Sequence, residues 1–248
     1  MKTITLAENN FKDGVYCGKH DLTNIDGNLE IEATGWLRFE SSIHSNGSIH
    51  SKGDISSKGS IFSNGTISSE GDISSEGDIF SEGYISSEGS ISSNGDISSK
   101  GSISSRSSIF SEGSISSEGS ISSEGSISSN GDISSKGSIS SKGSISSRSS
   151  IFSRSSIFSE GSKLEAKYGI TAGLKIFAKT TIESGMRIFA GVAPYNWVGQ
   201  EEREIKCGKL LKGKIAYGEL IETGLDSEPK KDDDILVVNG VKYKKVAD

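Results

Sequence analysis

The chain has 248 residues, a formal net charge of -6 and a pI near 5.3, and its basic residues are interspersed with acidic ones. Its 31 glycines and 32% hydrophobic residues exclude an ordinary globular domain with a mixed core. Neither a basic stripe nor an apolar run of about 18 residues occurs, so we expect no nucleic-acid partner and no membrane span.

Residues 1–24 precede any regular pattern, and we expect them to cap the end of the repeat region. The opening segment MKTITLAENNFKDG lacks a basic stretch followed by an apolar one, which predicts a cytoplasmic protein. Cys17 and Cys207 lie far apart outside the regular repeat, so we expect reduced thiols and no disulfide framework.

Isoleucine recurs at every sixth position from Ile43 to Ile157, twenty times without a miss, in hexads of the form Ile-Ser-Ser-X-Gly-Ser or Asp. So strict a period indicates a repeat architecture, and a six-residue step places no stripe on an α-helix. We assign residues 25–162 to a regular β-solenoid in which Ile25, Ile31 and Leu37 keep the phase. The column along one face is Ile43, Ile61, Ile79, Ile97, Ile115, Ile133 and Ile151.

The predicted fold is all-β, a single-stranded triangular parallel β-helix. We expect a strand of the form Gly-X-Ile in each hexad, with glycine as the small inward partner of isoleucine. The phase slips by one residue at Lys163, so residues 163–193 form phase-shifted coils whose column resumes at Leu164. The 28 column positions, at three per coil, predict about nine coils and a rod of about 45 Å.

The charged X position supports three hexads per coil. A lag of three hexads gives nine opposite-charge and two like-charge neighbours, against six and five at a lag of two hexads. A lag of four hexads scores as well as three, so four hexads per coil stay open. One predicted ladder of alternating charge is Glu82, Lys100, Glu118 and Lys136.

The slot after isoleucine holds five phenylalanines: Phe62, Phe80, Phe110, Phe152 and Phe158. If the slot faces outward at a corner, these rings form a broken patch for a partner or another subunit. If it folds inward, they fill space, and we favour inward or half-buried filling. Trp197 is a further possible partner contact.

The six-residue repeat pattern ends near Pro194. We assign 194–228 to an irregular loop followed by short-coil capping strands, because a Gly-X-aliphatic unit returns there at a five-residue spacing. Residues 229–248 read as a polar linker and a hairpin around Asn239-Gly240, a dipeptide typical of two-residue turns. The alternative is that this segment covers a sheet edge.

The hexad, with an aliphatic residue and a small residue four later, resembles the hexapeptide-repeat left-handed β-helix. Repeated Gly-Asp-Ile and Gly-Ser-Ile units are also similar to polymer-forming bactofilins, whose helix is right-handed; of the two hands we favour the left. The hexapeptide resemblance implies an acyltransferase with a histidine and a loop between coils, but residues 43–162 contain no insertion. His44 and His50 lie on successive faces, where they do not converge on a metal ion.

These features predict a non-enzymatic structural or scaffolding rod that assembles with itself, with no catalytic residue, cofactor or metal. Its partner is another copy of the chain or another protein. The alternatives are a surface-recognition module for ice, a glycan or a protein, an inhibitor of a phage or host protein, including one that mimics nucleic acid, and last a hexapeptide-repeat acyltransferase.

Overall fold

The structure, a computed structural model, describes residues 2–192 and 203–224 and the backbone of 235–238 and 241–244. Five strands precede the isoleucine repeat: β1 (Lys2–Leu6), β2 (Phe11–Lys12), β3 (Val15–Tyr16), β4 (Gly27–Ile31) and β5 (Arg38–Phe39), with a 3₁₀ turn at Glu8–Asn10. Strands β6 to β25 follow, one per isoleucine: Ile43–Ser45, Ile49–Ser51, Ile55–Ser57, Ile61–Ser63, Ile67–Ser69, Ile73–Ser75, Ile79–Ser81, Ile85–Ser87, Ile91–Ser93, Ile97–Ser99, Ile103–Ser105, Ile109–Ser111, Ile115–Ser117, Ile121–Ser123, Ile127–Ser129, Ile133–Ser135, Ile139–Ser141, Ile145–Ser147, Ile151–Ser153 and Ile157–Ser159. The remaining strands are β26 (Lys163–Ala166), β27 (Ile170–Ala172), β28 (Ile176–Phe189), β29 (Glu204–Tyr217), β30 (Glu219–Glu222), β31 (Ile235–Val238) and β32 (Val241–Lys244).

The repeat strands stack in parallel at a lag of three hexads. Ile61, for example, pairs with Ile43 on one side and with Ile79 on the other. The fold is therefore a parallel β-solenoid with three hexads per coil, which excludes the lag of four. It has about ten coils, one more than expected, because β1 and β30 extend the stack at its two ends.

Three flat faces follow from this stacking. Face A consists of the strands that begin at Ile43 and at every third column position after it, face B of those counted in the same way from Ile49, and face C of those counted from Ile55. We number coils from 1 at Ile43. At about 4.8 Å per coil, the rod is about 48 Å long.

The inward side of each strand is isoleucine plus the serine two positions later. The isoleucines from Ile43 to Ile157 are fully buried, and the serines from Ser45 to Ser159 are also buried. Our expectation of a Gly-X-Ile strand with glycine inside is wrong: the strand is Ile-X-Ser, and glycine lies at the bend that follows.

Hydrogen bonding explains why serine is tolerated inside. The hydroxyl of Ser93 donates to the carbonyl oxygen of Gly77 in the preceding coil at 2.6 Å. It also accepts the N–H of Gly95 at 3.0 Å, which closes the bend. Equivalent bonds recur along the repeat, so each such hydroxyl joins two coils and fixes one corner; buried polar groups without such partners would be costly.

The last hexad position has a related function. The carboxylate of Asp78 accepts the backbone N–H of Asp96 at 2.9 Å, and the hydroxyl of Ser60 accepts that of Asp78 at 3.1 Å. Each residue thus satisfies the N–H of its equivalent one coil later. Serine and aspartate are interchangeable here because both supply an acceptor oxygen close to the backbone.

Glycine is required by the close approach of successive corners. At Gly119, an added Cβ would lie 2.5 Å from the hydroxyl oxygen of Ser102 and 2.9 Å from the carbonyl carbon of Gly101. The constraint therefore comes from the coil below and not from the isoleucine across the lumen.

The upstream register differs from the expected one. Leu37 keeps the phase, since Arg38 pairs with Ser56. Leu29, however, stacks on Ile49, so Ile31 takes the serine position beside Ser51, and Ile25 bridges to Ser45. The corner at residues 32–36 is two residues longer than the standard bend and shifts the phase; Gly35 within it has φ of 80°.

Downstream, the extra residue at the phase slip lies in the corner before Leu164, which stacks on Ile145. Strands β28 and β29 run through the corners as continuous strands with register shifts. Leu220 stacks on Ile205, three five-residue units earlier, so the five-residue spacing makes a shorter final coil.

Two hairpins flank the solenoid in sequence. Strands β2 and β3 pair around Asp13 and Gly14, whose positive φ values are typical of a two-residue turn. Strands β31 and β32 pair with Val238 opposite Val241, which forms the predicted C-terminal hairpin. Its turn residues, Asn239 and Gly240, lie outside the described residues.

A substitution at each of two adjacent serines separates the structural hydroxyl from the surface one. We expect Ser93→Ala to lower the free energy of unfolding by about 1–3 kcal/mol, because it removes two hydrogen bonds at a buried corner and leaves the N–H of Gly95 and the carbonyl of Gly77 only their 3.2 Å bond to each other. The control, Ser92→Ala, removes an outward hydroxyl and should change it by less than about 0.5 kcal/mol. Guanidinium unfolding followed by circular dichroism measures both, and equal effects would contradict the proposed function of the buried hydroxyl.

Candidate functional site: the three outer faces

The residue after each isoleucine points outward from the middle of a strand. Phe110, Phe152 and Phe158 are 41%, 42% and 37% exposed, and Phe62 and Phe80 are half-buried against each other. The inward filling that we expected is wrong, because side chains alternate along the strand and isoleucine takes the inward side, whereas half-buried filling holds for Phe62 and Phe80. The five rings are surface groups.

Face A carries a stack of rings near its N-terminal end. The rings of Phe62 and Phe80 lie 4.8 Å apart and are nearly parallel, and the ring of His44 meets that of Phe62 edge-on at 4.4 Å. The three residues occupy coils 1 to 3. They are 18 residues apart in sequence, which is one coil, so their common column follows from the sequence once three hexads per coil are accepted.

The middle of face A is a floor of hydroxyls. Ser98, Ser116 and Ser134 occupy coils 4 to 6, and the hydroxyls of Ser98 and Ser116 are hydrogen bonded at 3.2 Å. They line a shallow trough of about 380 Å³ that is closed by Phe80 at one end and Phe152 at the other. Its rim on the B side carries Lys100, Glu118, Lys136 and Arg154.

Aromatic and apolar groups return at the C-terminal end of face A. The outward column continues from Phe152 through Thr171 and Phe189 to Tyr217, with a bulge before the last of these. Exposed Tyr168 and Met186 flank it at the corner between faces C and A. Sequence reasoning missed these partners because the slip at Lys163 and the bulges break the regular lag on which the column was counted.

Faces B and C differ from face A in the residues of their outward columns. Phe158 of face B stacks in register on Phe177, whereas Phe110 of face C has serine on both sides. Charged residues enter both outward columns: Glu30 and Lys206 on face B, and Arg38, Glu165 and Glu183 on face C. In the described part of face A, the outward column from His44 to Tyr217 contains no Asp, Glu, Lys or Arg.

Ion pairs join successive coils at the corners. Lys100 pairs with Glu82, and Lys136 pairs with Glu118 at 2.9 Å, both in the corner between faces A and B. In the next corner, Arg106 pairs with Glu88 at 2.9 Å and Lys142 with Glu124 at 3.1 Å. All of these side chains are largely exposed, so water screens each pair and its main effect is on register.

The remaining candidate residues are placed as follows. His50 lies on face B, where its Nδ1 is 2.8 Å from the hydroxyl of Ser68, and His44 lies on face A. Burial raises the pKa of the Cys207 thiol to about 11, with a smaller contribution from Glu222. Cys17 is exposed, and Trp197 lies outside the described residues.

Comparison with known proteins gives no match: no family model, no curated protein and no solved structure matches the chain. Within the described ranges, no helix is long and apolar enough to cross a membrane.

The corner ladder predicts a measurable titration effect. The hydrogen bond from Lys136 and its charge hold the pKa of Glu118 below the usual glutamate value. We expect Lys136→Met to raise the pKa of Glu118 toward the usual value, measured by NMR titration of the side-chain carboxyl carbon. Because the folded pKa is lowered, the pair stabilises the fold above the usual glutamate pKa, and this contribution is lost as pH falls through the lowered value.

The control for that titration is Lys142→Met, which breaks the equivalent pair with Glu124 in a different corner. It should leave the pKa of Glu118 unchanged. An equal shift in both variants would mean that net charge, and not the local pair, sets the titration.

Proposed function

We propose that the chain is a non-enzymatic structural rod that assembles with itself. The observation that carries the proposal is the unbroken stack from residue 43 to 162, in which every coil repeats the same inward residues and the same corner. Repetition of one unit without insertions fixes a length and a straight surface. An active site instead needs convergent polar groups in a concave pocket.

The bonding of the hydroxyls supports the same proposal. The inward serines donate to the coil below, and many of the serines before isoleucine accept a backbone N–H from the coil above. The abundant serines thus serve the backbone of neighbouring coils. Recognition of ice, a glycan or another protein stays the alternative, and the trough of face A is the surface it would use.

A one-coil deletion tests the rod. Removing residues 115–132, three whole hexads, joins Ser114 to Ile133 in the same phase and on the same faces. We expect a folded protein that is shorter by about 4.8 Å, because each coil contributes one strand spacing. Small-angle scattering measures the length, and far-ultraviolet circular dichroism measures the fold.

The contrasting deletion removes only 115–118 and shifts the isoleucine column out of phase for the rest of the chain. It should lose β-structure beyond the junction. If the one-coil deletion unfolds as extensively as this shorter one, the coils are not interchangeable units of length and the proposal fails.

A further inference from the structure

We propose that face A is the interface of an antiparallel homodimer, in which a second copy of the chain lies along the first. The inference rests on the proposed structural rod and adds the partner, the surface and the orientation. The positions of the rings and charges along face A, together with the size of that face, support the inference.

The outward column of face A has the composition of an interface core. Cores of protein interfaces are depleted of charged residues and enriched in aromatic ones, and face A combines both properties while faces B and C do not. Exposed rings at Phe152 and Tyr217 leave apolar area in water on an otherwise serine-rich surface.

The rings are concentrated towards the two ends of face A. They occupy coils 1 to 3 (His44, Phe62, Phe80) and coils 7, 9 and 10 (Phe152, Phe189, Tyr217), with serine in coils 4 to 6 and Thr171 in coil 8. A two-fold axis between coils 5 and 6 faces coils 1 to 3 of one copy with coils 8 to 10 of the other. An isologous interface requires such a self-complementary surface.

The same axis places a ring over the hydroxyl floor. Coil 7 of one copy then faces coil 4 of the other, so Phe152 lies over Ser98 beside Phe80, at one end of the trough. Ser116 faces Ser134 at the centre of the interface. Large residues thus face small ones at the trough, which close packing requires.

The corner between faces C and A has complementary charge in its two halves. Its N-terminal half carries Glu40, Glu76 and Glu112, and its C-terminal half carries Arg148, Lys167, Arg187 and Lys214. In the antiparallel arrangement, Glu76 faces Lys167 and Glu40 faces Lys214. The N-terminal half also contains Lys58, which pairs with Glu40 and faces the corner at residues 185–187 of the other copy, where Arg187 is a like charge.

The other rim of face A, in the corner between faces A and B, is close to neutral in this arrangement. Glu118 faces Lys136 twice, once in each direction across the axis. Lys100 faces Arg154, also twice, and this like-charge pair is moderated by the bond of Lys100 to Glu82. Attractive and repulsive contacts are therefore equal in number on this rim, and the charges of the other rim favour the arrangement.

A parallel dimer is disfavoured by the same charges. It would set the two rims of face A opposite each other at equal coil number. Glu76 would then face Glu82, Glu112 would face Glu118, and Arg148 would face Arg154. Such like-charge juxtapositions oppose association, so orientation is selected by charge.

The area is sufficient for a stable pair. A face about 15 Å wide and about 45 Å long gives roughly 700 Å² per copy, or roughly 1,400 Å² for the two copies together. Stable specific interfaces bury about 1,200–2,000 Å² in total.

The first test compares the same substitution on two faces. Sedimentation equilibrium of the full chain should give twice the 26.1 kDa chain mass. Phe152→Ser should raise the dimer dissociation constant about tenfold or more, because the ring occurs twice in the interface. Phe110→Ser, an equally exposed ring in the same slot of face C, should leave it unchanged. A monomeric chain, or equal effects of the two substitutions, would overturn the proposal.

The second test changes which face the rings occupy. Deleting residues 115–126 removes two hexads and keeps the isoleucine column, but it moves the downstream part of face C onto face A, so that Glu165 and Glu183 replace Phe152 and Thr171 there. We expect this variant to fold and to be monomeric, whereas the one-coil deletion of 115–132 keeps the rings on one face and dimerises. A dimer as tight as that of the native chain after the two-hexad deletion would refute the face A interface while leaving the rod intact.

The third test measures orientation by pulsed EPR between nitroxide labels on cysteines, in a Cys17→Ser background. Along the rod, a label at Ser56, in coil 1 of face C, should lie about 40 Å from its symmetry mate, and a label at Ser128, in coil 5, within about 5 Å. A parallel dimer would give equal axial offsets at the two sites and would refute the antiparallel arrangement.

Discussion

The structure depends on satisfying polar groups inside a lumen that has room for only one large side chain per strand. Isoleucine fills that lumen, but a three-residue strand must point a second side chain inward, and every corner brings backbone groups of two coils together. Serine meets both needs because its hydroxyl is small, donates to the carbonyl below and accepts the N–H of its own bend. The low-complexity composition is thus the consequence of a repeated hydrogen-bonding requirement, since each hydroxyl left without partners would cost about 1–3 kcal/mol.

Because every regular coil is built from the same three hexads, position in the sequence determines position on the surface. Residues one coil apart in sequence become lateral neighbours about 4.8 Å apart, and residues one hexad apart lie on different faces. A mutation at the outward position changes one face and leaves the core alone. The surface is therefore free to vary while the fold is held constant, and the few residues that interrupt serine, such as Phe62 and Phe152, are the ones that distinguish one face from another.

Much of this could be predicted from the sequence. The column of isoleucine, the three hexads per coil and the corner ladder all follow from period and charge, because in a repeat one correct lag determines every contact. The inward serine could not be predicted, since a Gly-X-Ile and an Ile-X-Ser strand have the same period and alternation, and only hydrogen bonding around the bend chooses between them. A constant spacing of three hexads gives the wrong stacking partners wherever the corners change length. Leu29 and not Ile31 therefore stacks on Ile49, and Tyr217 joins face A through a bulge. The outward direction of the phenylalanines depended on the same choice of strand.

The two ends of the rod support the proposed lateral association over end-to-end stacking. At the N-terminal end, the hairpin of β2 and β3 lies against the strand of Phe39, and the rings of Phe11, Tyr16 and Phe39 pack together at 5.6 to 5.8 Å there. Another copy could extend face C at this end only by displacing that cluster. At the other end, the coil shortens to three five-residue units, so its corners no longer match those of a coil of three hexads. Unpaired strand edges favour stacking, but a mismatched coil and an aromatic cap oppose it, whereas the proposed dimer on face A needs no rearrangement of either end.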